Sequence, residues 1–523
     1  MALSREVYRE LEDILGPDNI SDDPVVLDVY SFQRLNAGSM DPYTISPEAV
    51  VLPGSTEEVQ AILRLCNRRG IKSRASSTTY GTQGMATCAG EILLDLRRMN
   101  RIIEIDEKNM CVVTEPYVSF AQVQAEVMKK GLNCHVVGAG SNCSYLASLT
   151  SMDGNNAQAI AYGYSGRNLL GAEWVLPTGE ILRLGSLGSG AGWFSGDGPG
   201  PSLRGIIRGA RGALGGLGVI TKCAGHVRPW PGPKSIEIKG ISPAFETEVP
   251  PLFEYHILDW PTWEQCADGQ YKIGEAGIAL VLNKTAGPGT HGHTVTGCNN
   301  EYYDKYEELK GIPEVSLNIV MGANSPEEHA YQVKALDQIL KDTGGQITPV
   351  GEKAIMKNRD FINAIKTCFV PRTAFRAAGS FTIDGLLGHG SVDHVSLGLK
   401  KDGVLRAKYA KKGVIGDDGT YNSWGSTFEN AHLALFECGH WFDPLDEAST
   451  KGATELIGDG IKISLSTPFS LTWGTSGGMI FGLKSQPPIG PLCYNYHEWM
   501  RKIKKAFDPN TASDPEGYIS PEE

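Results

Sequence analysis

No window of this 523-residue chain approaches the ~18 uninterrupted apolar residues that a membrane-spanning helix needs. The opening Met1-Ala-Leu-Ser-Arg-Glu runs into a polar, helix-like stretch and lacks the apolar core of a secretory signal. Long basic runs are missing as well, and the formal net charge is −12. Phosphate-backbone binding needs clustered Lys and Arg, so nucleic acid is excluded as an expected partner. The 11 cysteines are odd in number, scattered, and without Cys-x-x-Cys or metal-knuckle spacing. That pattern predicts free thiols in a reducing compartment, a cytoplasmic location, and no iron–sulfur cluster held by this chain. There is no internal repeat and no low-complexity tract.

What is present is a long globular chain with much glycine. At 523 residues it exceeds a single hydrophobic core, so two or more domains are expected. Its 63 glycines point to many turns and close backbone approaches. The pattern predicts a helix from Arg5 to Leu15, an apolar strand between Pro47 and Pro53, and a capping box at Ser55-Thr-Glu-Glu58. The helix that follows repeats Val59, Ile62, Leu63 and Leu65 at helical spacing. Strand-like runs at Glu91–Leu96, Ile102–Ile105 and Met110–Thr114 precede an amphipathic helix from Phe120 to Lys130. A hairpin is expected around Pro177-Thr-Gly-Glu180, and a strand opens at Gly218-Val-Ile-Thr221. This order argues α+β architecture rather than simple β-α alternation. The punctuated run Arg228-Pro-Trp-Pro-Gly-Pro-Lys234 is the best boundary. Expected units are an N-terminal helical segment (1–45), a first domain (46–235) completed by 495–523, and a second domain (236–494) of mixed helices and strands.

Three stretches carry chemical signal. The densest is Arg74-Ala-Ser-Ser-Thr-Thr-Tyr-Gly-Thr-Gln-Gly84, whose hydroxyls and free N–H groups suit a concave phosphate nest, or a plain surface turn. Residues 145–166, with Thr150-Ser-Met-Asp-Gly-Asn-Asn-Ala157 and Tyr162-Gly-Tyr-Ser-Gly166, are too polar and small-sided for core. The third, Arg208-Gly-Ala-Arg-Gly-Ala-Leu-Gly-Gly-Leu-Gly218, has glycine spacing superficially like a dinucleotide fingerprint, without the strand before it and helix after it that such a motif requires.

Taken in order, Pro53-Gly-Ser-Thr-Glu-Glu-Val59, the hydroxyl loop, Ile92-Leu-Leu-Asp-Leu-Arg-Arg-Met-Asn100, Glu115-Pro-Tyr-Val-Ser-Phe120, Trp174-Val-Leu-Pro-Thr-Gly-Glu180, Leu217-Gly-Val-Ile-Thr221 and Phe507-Asp-Pro-Asn510 resemble the vanillyl-alcohol oxidase and 4-cresol dehydrogenase flavoprotein family, which includes glycolate and D-lactate dehydrogenases. The resemblance implies a p-cresol methylhydroxylase-type FAD-binding domain under a second α+β substrate (cap) domain, and a flavin oxidoreductase. It implies that Ser76, Ser77, Thr78, Thr79, Tyr80 and Gly81 wrap the FAD pyrophosphate. Pro116 joins the cofactor set, while Met152, Asp153, Asn155, Asn156 and Ala157, followed by Tyr162 and Gly163, run along the flavin. Gly218, Val219, Ile220 and Thr221 would meet its adenine or ribitol side. The chain departs from the family where Ala75 and Tyr117 replace usual glycines. No amino-terminal histidine matches a flavin-linking position, so noncovalent FAD is expected.

The resemblance offers two donor types. In the phenol-oxidising branch, Tyr80 would face a phenolate and Asp153 would act as an acid or base beside the flavin. The Tyr-Arg pair of that branch is replaced by Gly460-Ile-Lys-Ile463, leaving Lys462 as a point-charge substitute. In the 2-hydroxy-acid branch, Arg372 and Arg376 suit a carboxylate clamp. There His389-Gly-Ser-Val-Asp-His394 is read against a histidine metal motif whose middle it lacks, and an exposed glycine-rich loop is the bland alternative; no metal is assigned. His291 with His293 reads as a ligand pair or a surface turn, and Glu437, Cys438 and His440 are too close in sequence to define a site. The leading expectation is oxidation of a 4-alkylphenol or a benzylic or phenolic alcohol. Alternatives are a 2-hydroxy-acid dehydrogenase passing electrons to an electron-transfer flavoprotein, cytochrome or iron–sulfur subunit, a non-redox flavoenzyme of the alkyl ether-lipid synthase type, and a flavin-binding scaffold. A homo-oligomer is expected.

Overall fold

The computed structural model describes residues 3–32, 41, 43–79, 84–134, 141–151, 154, 157–208, 215–241, 244–285, 287, 292, 295–362, 365, 380–417, 423–466, 491 and 494–514. The first sheet holds β1 (Ile20–Ser21), β2 (Ala49–Val51), β3 (Lys72–Ser76) and β4 (Glu91–Asp95) in the order β1-β2-β4-β3. Strands β2, β4 and β3 run parallel. Crossover from β2 to β3 needs a helix, and Thr56–Arg69 supplies it. Ser55 Oγ accepts from the Glu58 N–H at 3.2 Å and Gly70 closes the helix at φ +67°. The reciprocal half of the expected capping box is shifted by one residue, because the Glu58 carboxylate accepts from the Gly54 N–H (2.7 Å) and also meets Arg98. Helix Arg5–Leu15 buries Val7, Leu11 and Leu15 in the same core as Val59, Ile62 and Leu63.

The next strands are β5 (Ile102–Asp106), β6 (Cys111–Thr114), β7 (Leu132–Asn133), β8 (Leu169–Val175), β9 (Ile181–Leu184), β10 (Val219–His226) and β11 (Arg228–Pro229). Five form an antiparallel sheet, β5-β6-β10-β8-β9, and β7 pairs β11. The expected hairpin is β8–β9, with Trp174 opposite Leu182. Its face buries Trp174, Leu169 and Ala172 against the helices Phe120–Lys129 and Tyr145–Thr150. A late helix, Tyr496–Phe507, returns to this core, stacking Phe507 on Trp174 at 5.2 Å between ring centroids. Glu173, on β8, ties the antiparallel sheet to the first crossover helix: its Oε1 accepts from Thr56 (2.9 Å) and Lys222 (2.6 Å).

The largest sheet is antiparallel throughout and is built from β12 (Phe253–Asp259), β13 (Val281–Lys284), β14 (Ser316–Gly322), β15 (Gln346–Ile347), β16 (Ser380–Gly390), β17 (Ser423–Phe428) and β18 (Leu433–Phe442). Its order is β15-β12-β14-β13-β17-β18-β16. Alternation along the strands gives it two apolar faces. The outer face packs Leu282, Ile319 and Phe436 against helices Trp263–Ala276, Pro326–Thr343, Val392–Lys411 and Glu447–Ser466. The inner face packs Tyr255, Ile257, Val281 and Val320 against Met128, Ala157 and Trp230.

The tail after Phe507 is tied down by charge. Lys504 is fully buried; its ammonium donates to Asp508 Oδ2 (2.8 Å) and to the carbonyls of Gly216 and Ser513. Asp508 also accepts from the Ala512 and Ser513 N–H groups at 2.8 and 2.9 Å. Ser513 then forms a parallel bridge to Ser73 on the free edge of β3, and Asp514 pairs with buried Arg74. Removing one partner of a buried ion pair strands the other, at a cost of about 3–5 kcal/mol. Lys504→Met is therefore expected to lower unfolding stability by about that amount in urea titration. A loss below about 1 kcal/mol would place the ammonium outside the support of this tail.

Candidate functional site

Strand β3 ends in the hydroxyl loop because the parallel strands β2, β4 and β3 open their carboxyl ends on the same side, where ligands of such sheets bind. Ser76 is buried and its Oγ lies 2.5 Å from Thr79 Oγ1. Thr79 takes φ +45°, a left-handed conformation unusual for a β-branched residue and typical of backbone nests that collect N–H groups. Thr78 Oγ1 accepts from the Ser144 N–H (2.8 Å), and the Ser144 hydroxyl donates to the Pro116 carbonyl (2.5 Å). The hydroxyl loop, Pro116 and the cap of the helix Tyr145–Thr150 thus form one linked unit. Ser77 lies beside them, half-buried. Tyr80 and Gly81 lie outside the described residues.

Met152, Asp153, Asn155 and Asn156 also lie outside the described residues, but both flanks are placed. Ala157 is buried, and the short helix Ala159–Tyr162 follows it. Gly163 turns the chain at φ +71°. Burial raises the pKa of Tyr162, and the Arg228 guanidinium sits 5.1 Å over its ring. Burial likewise makes the Arg228 cation less favourable than usual. Gly218 adopts φ +91° and its N–H donates to Ser513 Oγ at 3.0 Å, so the returning tail touches this part of the expected cofactor set directly. Val219, Ile220 and Thr221 are buried on β10, and the Thr221 hydroxyl is 3.3 Å from both the carbonyl and the carboxylate of Glu173. Thr221 therefore supports Glu173, which ties the antiparallel sheet to the helix Thr56–Arg69.

The seven-stranded sheet, expected to belong to the cap, meets this region at a strained hairpin tip. Glu429, Asn430 and Ala431 have φ values of +49°, +53° and +67°. Their strain, of order 1–3 kcal/mol per residue, is held by hydrogen bonds from Glu429 N–H to Ala159 O (3.0 Å) and Asn430 N–H to Ile160 O (2.9 Å). A buried amide chain makes the second link. Gln124 Nε2 donates to Asn133 Oδ1 (3.0 Å) and the Ile365 carbonyl (2.9 Å), while Asn133 Nδ2 donates to Gln158 Oε1 (2.8 Å). Neither link has a signature in sequence, since each joins residues far apart in the chain.

The remaining candidates are dispersed. Arg372 and Arg376 lie outside the described residues, as do His291 and His293. Lys462 is 79% exposed and pairs with Asp459 at 3.2 Å, one helical turn away on the outer layer. It does not join the other candidates. His389 is buried between Tyr164 (6.0 Å between ring centroids) and Phe428 (5.6 Å). Asp393 accepts from the Tyr271 hydroxyl (2.8 Å), and His394 Nδ1 sits 3.0 Å from the capping Ser391 hydroxyl. Among the described residues, no three His, Cys, Asp or Glu side chains are grouped to hold a metal. Cys438 is buried on β18, and His440 lies in the same strand with its Nε2 3.3 Å from Asp402.

A family description of FAD-binding domains matches residues 47–185. Over those residues the chain is similar to FAD-binding domains. Over 301 residues it is 27% identical to the glycolate oxidase subunit GlcD of Bacillus subtilis (strain 168), covering 55% of this chain and 60% of that one. Over 307 residues it is 30% identical to the D-lactate dehydrogenase of Anaerostipes hadrus, covering 57% and 58%. The matches thus span less than two thirds of these curated relatives. A crystal structure of p-cresol methylhydroxylase with substrate bound superimposes over 99% of this chain and 98% of the other, with a TM-score of 0.72 at 16% identity. The fold is shared along the whole length, including the cap sheet. The residues fit FAD: the hydroxyl loop is crowded by Gly84, where a Cβ would stand 2.8 Å from Ser76 Oγ and 2.9 Å from Thr79 Oγ1. Ser76, Thr79 and Gly84 thus bring short hydroxyls and close backbone together at the two described ends of the loop expected to hold the pyrophosphate.

One titration lies at the opposite end of the sheet that carries the hydroxyl loop. Glu91 is fully buried on β4, and burial first, then Asp514, push its carboxyl up from the ordinary 4.5 to about 7. Between those values the folded chain keeps a proton that the unfolded chain has released, so stability falls as pH rises through that window. Glu91→Gln should flatten this fall and make the protein more stable than wild type at pH 8, as read by thermal unfolding from pH 4.5 to 8. Parallel wild-type and variant curves would refute it.

Proposed function

We propose that this chain is an FAD-dependent oxidoreductase that takes a hydride from a small organic donor, with FAD held noncovalently. Residues 46–235 and 495–523 would hold the flavin, and 236–494 would close over it as the substrate domain. The observation that carries the reading is the contact of the cap sheet with Ala157–Tyr164, the stretch that closes the expected flavin run. A donor on the flavin would then have the inner face of the cap sheet as its other wall, excluding water. The flavin supplies hydride acceptance, and the protein supplies orientation and electrostatics.

The favoured donor is a 4-alkylphenol or a benzylic alcohol. This reading is supported by the full-length likeness to p-cresol methylhydroxylase and by the sequence resemblance, which puts Tyr80 and Asp153 among the flavin-side residues. Tyr80 would hydrogen-bond the phenolate oxygen, and Asp153 would hold or move a proton beside the flavin. Anaerobic mixing of the FAD-loaded protein with 4-ethylphenol tests the roles. Tyr80→Phe should slow bleaching of the flavin absorbance by about tenfold or more while FAD content is unchanged. Equal rates in variant and wild type would remove Tyr80 from the donor site.

A second reading, oxidation of a 2-hydroxy acid with transfer of electrons to a separate protein, is favoured by the named relatives. Arg372, seven residues beyond the anchored carbonyl of Ile365, would clamp the donor carboxylate. Arg372→Ala should raise the KM for D-lactate by well over about tenfold. An unchanged KM would dismiss the clamp.

A further inference from the structure

Three arginines gather around the segment that follows the flavin run, in a chain whose net charge is −12. Arg167 donates to Glu429 on the hairpin tip at 2.9 Å and lies 5.2 Å over the Tyr164 ring. Arg204 donates to the Leu169 carbonyl at 2.7 Å, and its nearest carboxylate, Asp197, is 3.8 Å away and 85% exposed. The Arg204 Nε is buried and finds no acceptor among the described residues. Among the described residues Arg208 reaches only the Gly166 carbonyl, at 3.4 Å, and pairs with no carboxylate.

This arrangement is expensive for a purely structural role. Half-buried guanidiniums that serve packing are ordinarily paired, as Arg359 is with Glu301 (2.7 Å) and Glu246 (2.6 Å) in this same protein. The Arg208 cation is instead disfavoured, by burial first and then by repulsion from Arg204. An arriving anion would relieve both effects. The guanidinium fork also suits a two-oxygen group, such as a carboxylate or phosphate, better than a point charge would. The cluster lies where the FAD-binding domain meets the hairpin tip of the cap sheet, since Arg167 bonds Glu429 and the Tyr164 ring packs beside His389 and Phe428.

We propose that Arg208, flanked by Arg204 and Arg167, binds the carboxylate or phosphate group of a small anion at the junction of the FAD-binding domain and the cap sheet. The proposal stands apart from the donor chemistry and does not require the protein to oxidise any compound tested.

The FAD-loaded protein is titrated calorimetrically with inorganic phosphate and, separately, with 4-hydroxybenzoate, at constant ionic strength. Wild type should bind at least one of them; phosphate alone points to a free phosphate ligand, and 4-hydroxybenzoate alone to a carboxylate carried on an organic molecule. Arg208→Gln should weaken that binding by about tenfold or more, the scale of one bidentate charged contact, with flavin content unchanged. Arg208→Lys, which keeps the charge without the fork, should fall between, and it decides the matter if the glutamine variant does not fold. No binding by wild type, or equal binding by the variants, would overturn the proposal. So would loss of flavin from a folded Arg208 variant, which would assign the guanidinium to the phosphates of FAD itself.

Discussion

The burial of Lys504 is the constraint on which the first two sheets of this protein depend. One ammonium, removed from water, is satisfied by Asp508 and by two carbonyls drawn from opposite sides, Gly216 before β10 and Ser513 in the returning tail. That arrangement sets the tail along β3, where Ser513 meets Ser73 and Asp514 meets Arg74. Strand β3 runs straight into the hydroxyl loop, and Gly218 leans on the same Ser513 side chain. The two walls expected to face the cofactor are therefore referenced to one short segment. A buried ion pair is seldom the most stable solution for a core. Here it supplies directional bonds that an apolar plug would lack.

The cap is joined to that base by two devices of different character. The hairpin tip at Glu429–Ala431 concentrates left-handed backbone in three successive residues and donates two N–H groups to Ala159 and Ile160. The amide chain of Gln124, Asn133 and Gln158 is fully buried and ends on the Ile365 carbonyl. The first fixes the cap sheet against the stretch after the flavin run. The second anchors the chain just before Arg372 and Arg376. Both satisfy buried polar groups that would otherwise oppose closure of the interface.

Much of the first domain could be read from pattern because its signals are local. The helix Arg5–Leu15 has its Ser4 cap and apolar stripe, the Ser55 helix has its cap and Gly70 stop, and the β8–β9 hairpin has its turn. The seven-stranded sheet was less legible. Its strand order interleaves segments up to about two hundred residues apart, and β12 pairs with β14 and β15 rather than with β13. At the site, the hydroxyl loop announced itself by composition, whereas Arg228 looked like boundary punctuation and proved to cover Tyr162. Lys462 shows the opposite failure: a cation chosen by its place in a motif faces solvent on an outer helix. His389, Asp393 and His394 straddle the end of a strand and the start of a helix, which turns neighbouring residues to different surroundings.

The pairing of Ser73 with Ser513 spans some four-fifths of the chain. Contacts of such long range are slow to form and, during synthesis on the ribosome, must wait for their second partner to emerge. Strand β3 and its loop are thus made early and completed late. The nascent protein passes through a stage in which the whole seven-stranded sheet has been translated while β3 still presents an unpaired edge. Flavin capture would then be one of the last events in maturation, and that interval is when a chaperone or an edge-seeking neighbour has its opportunity.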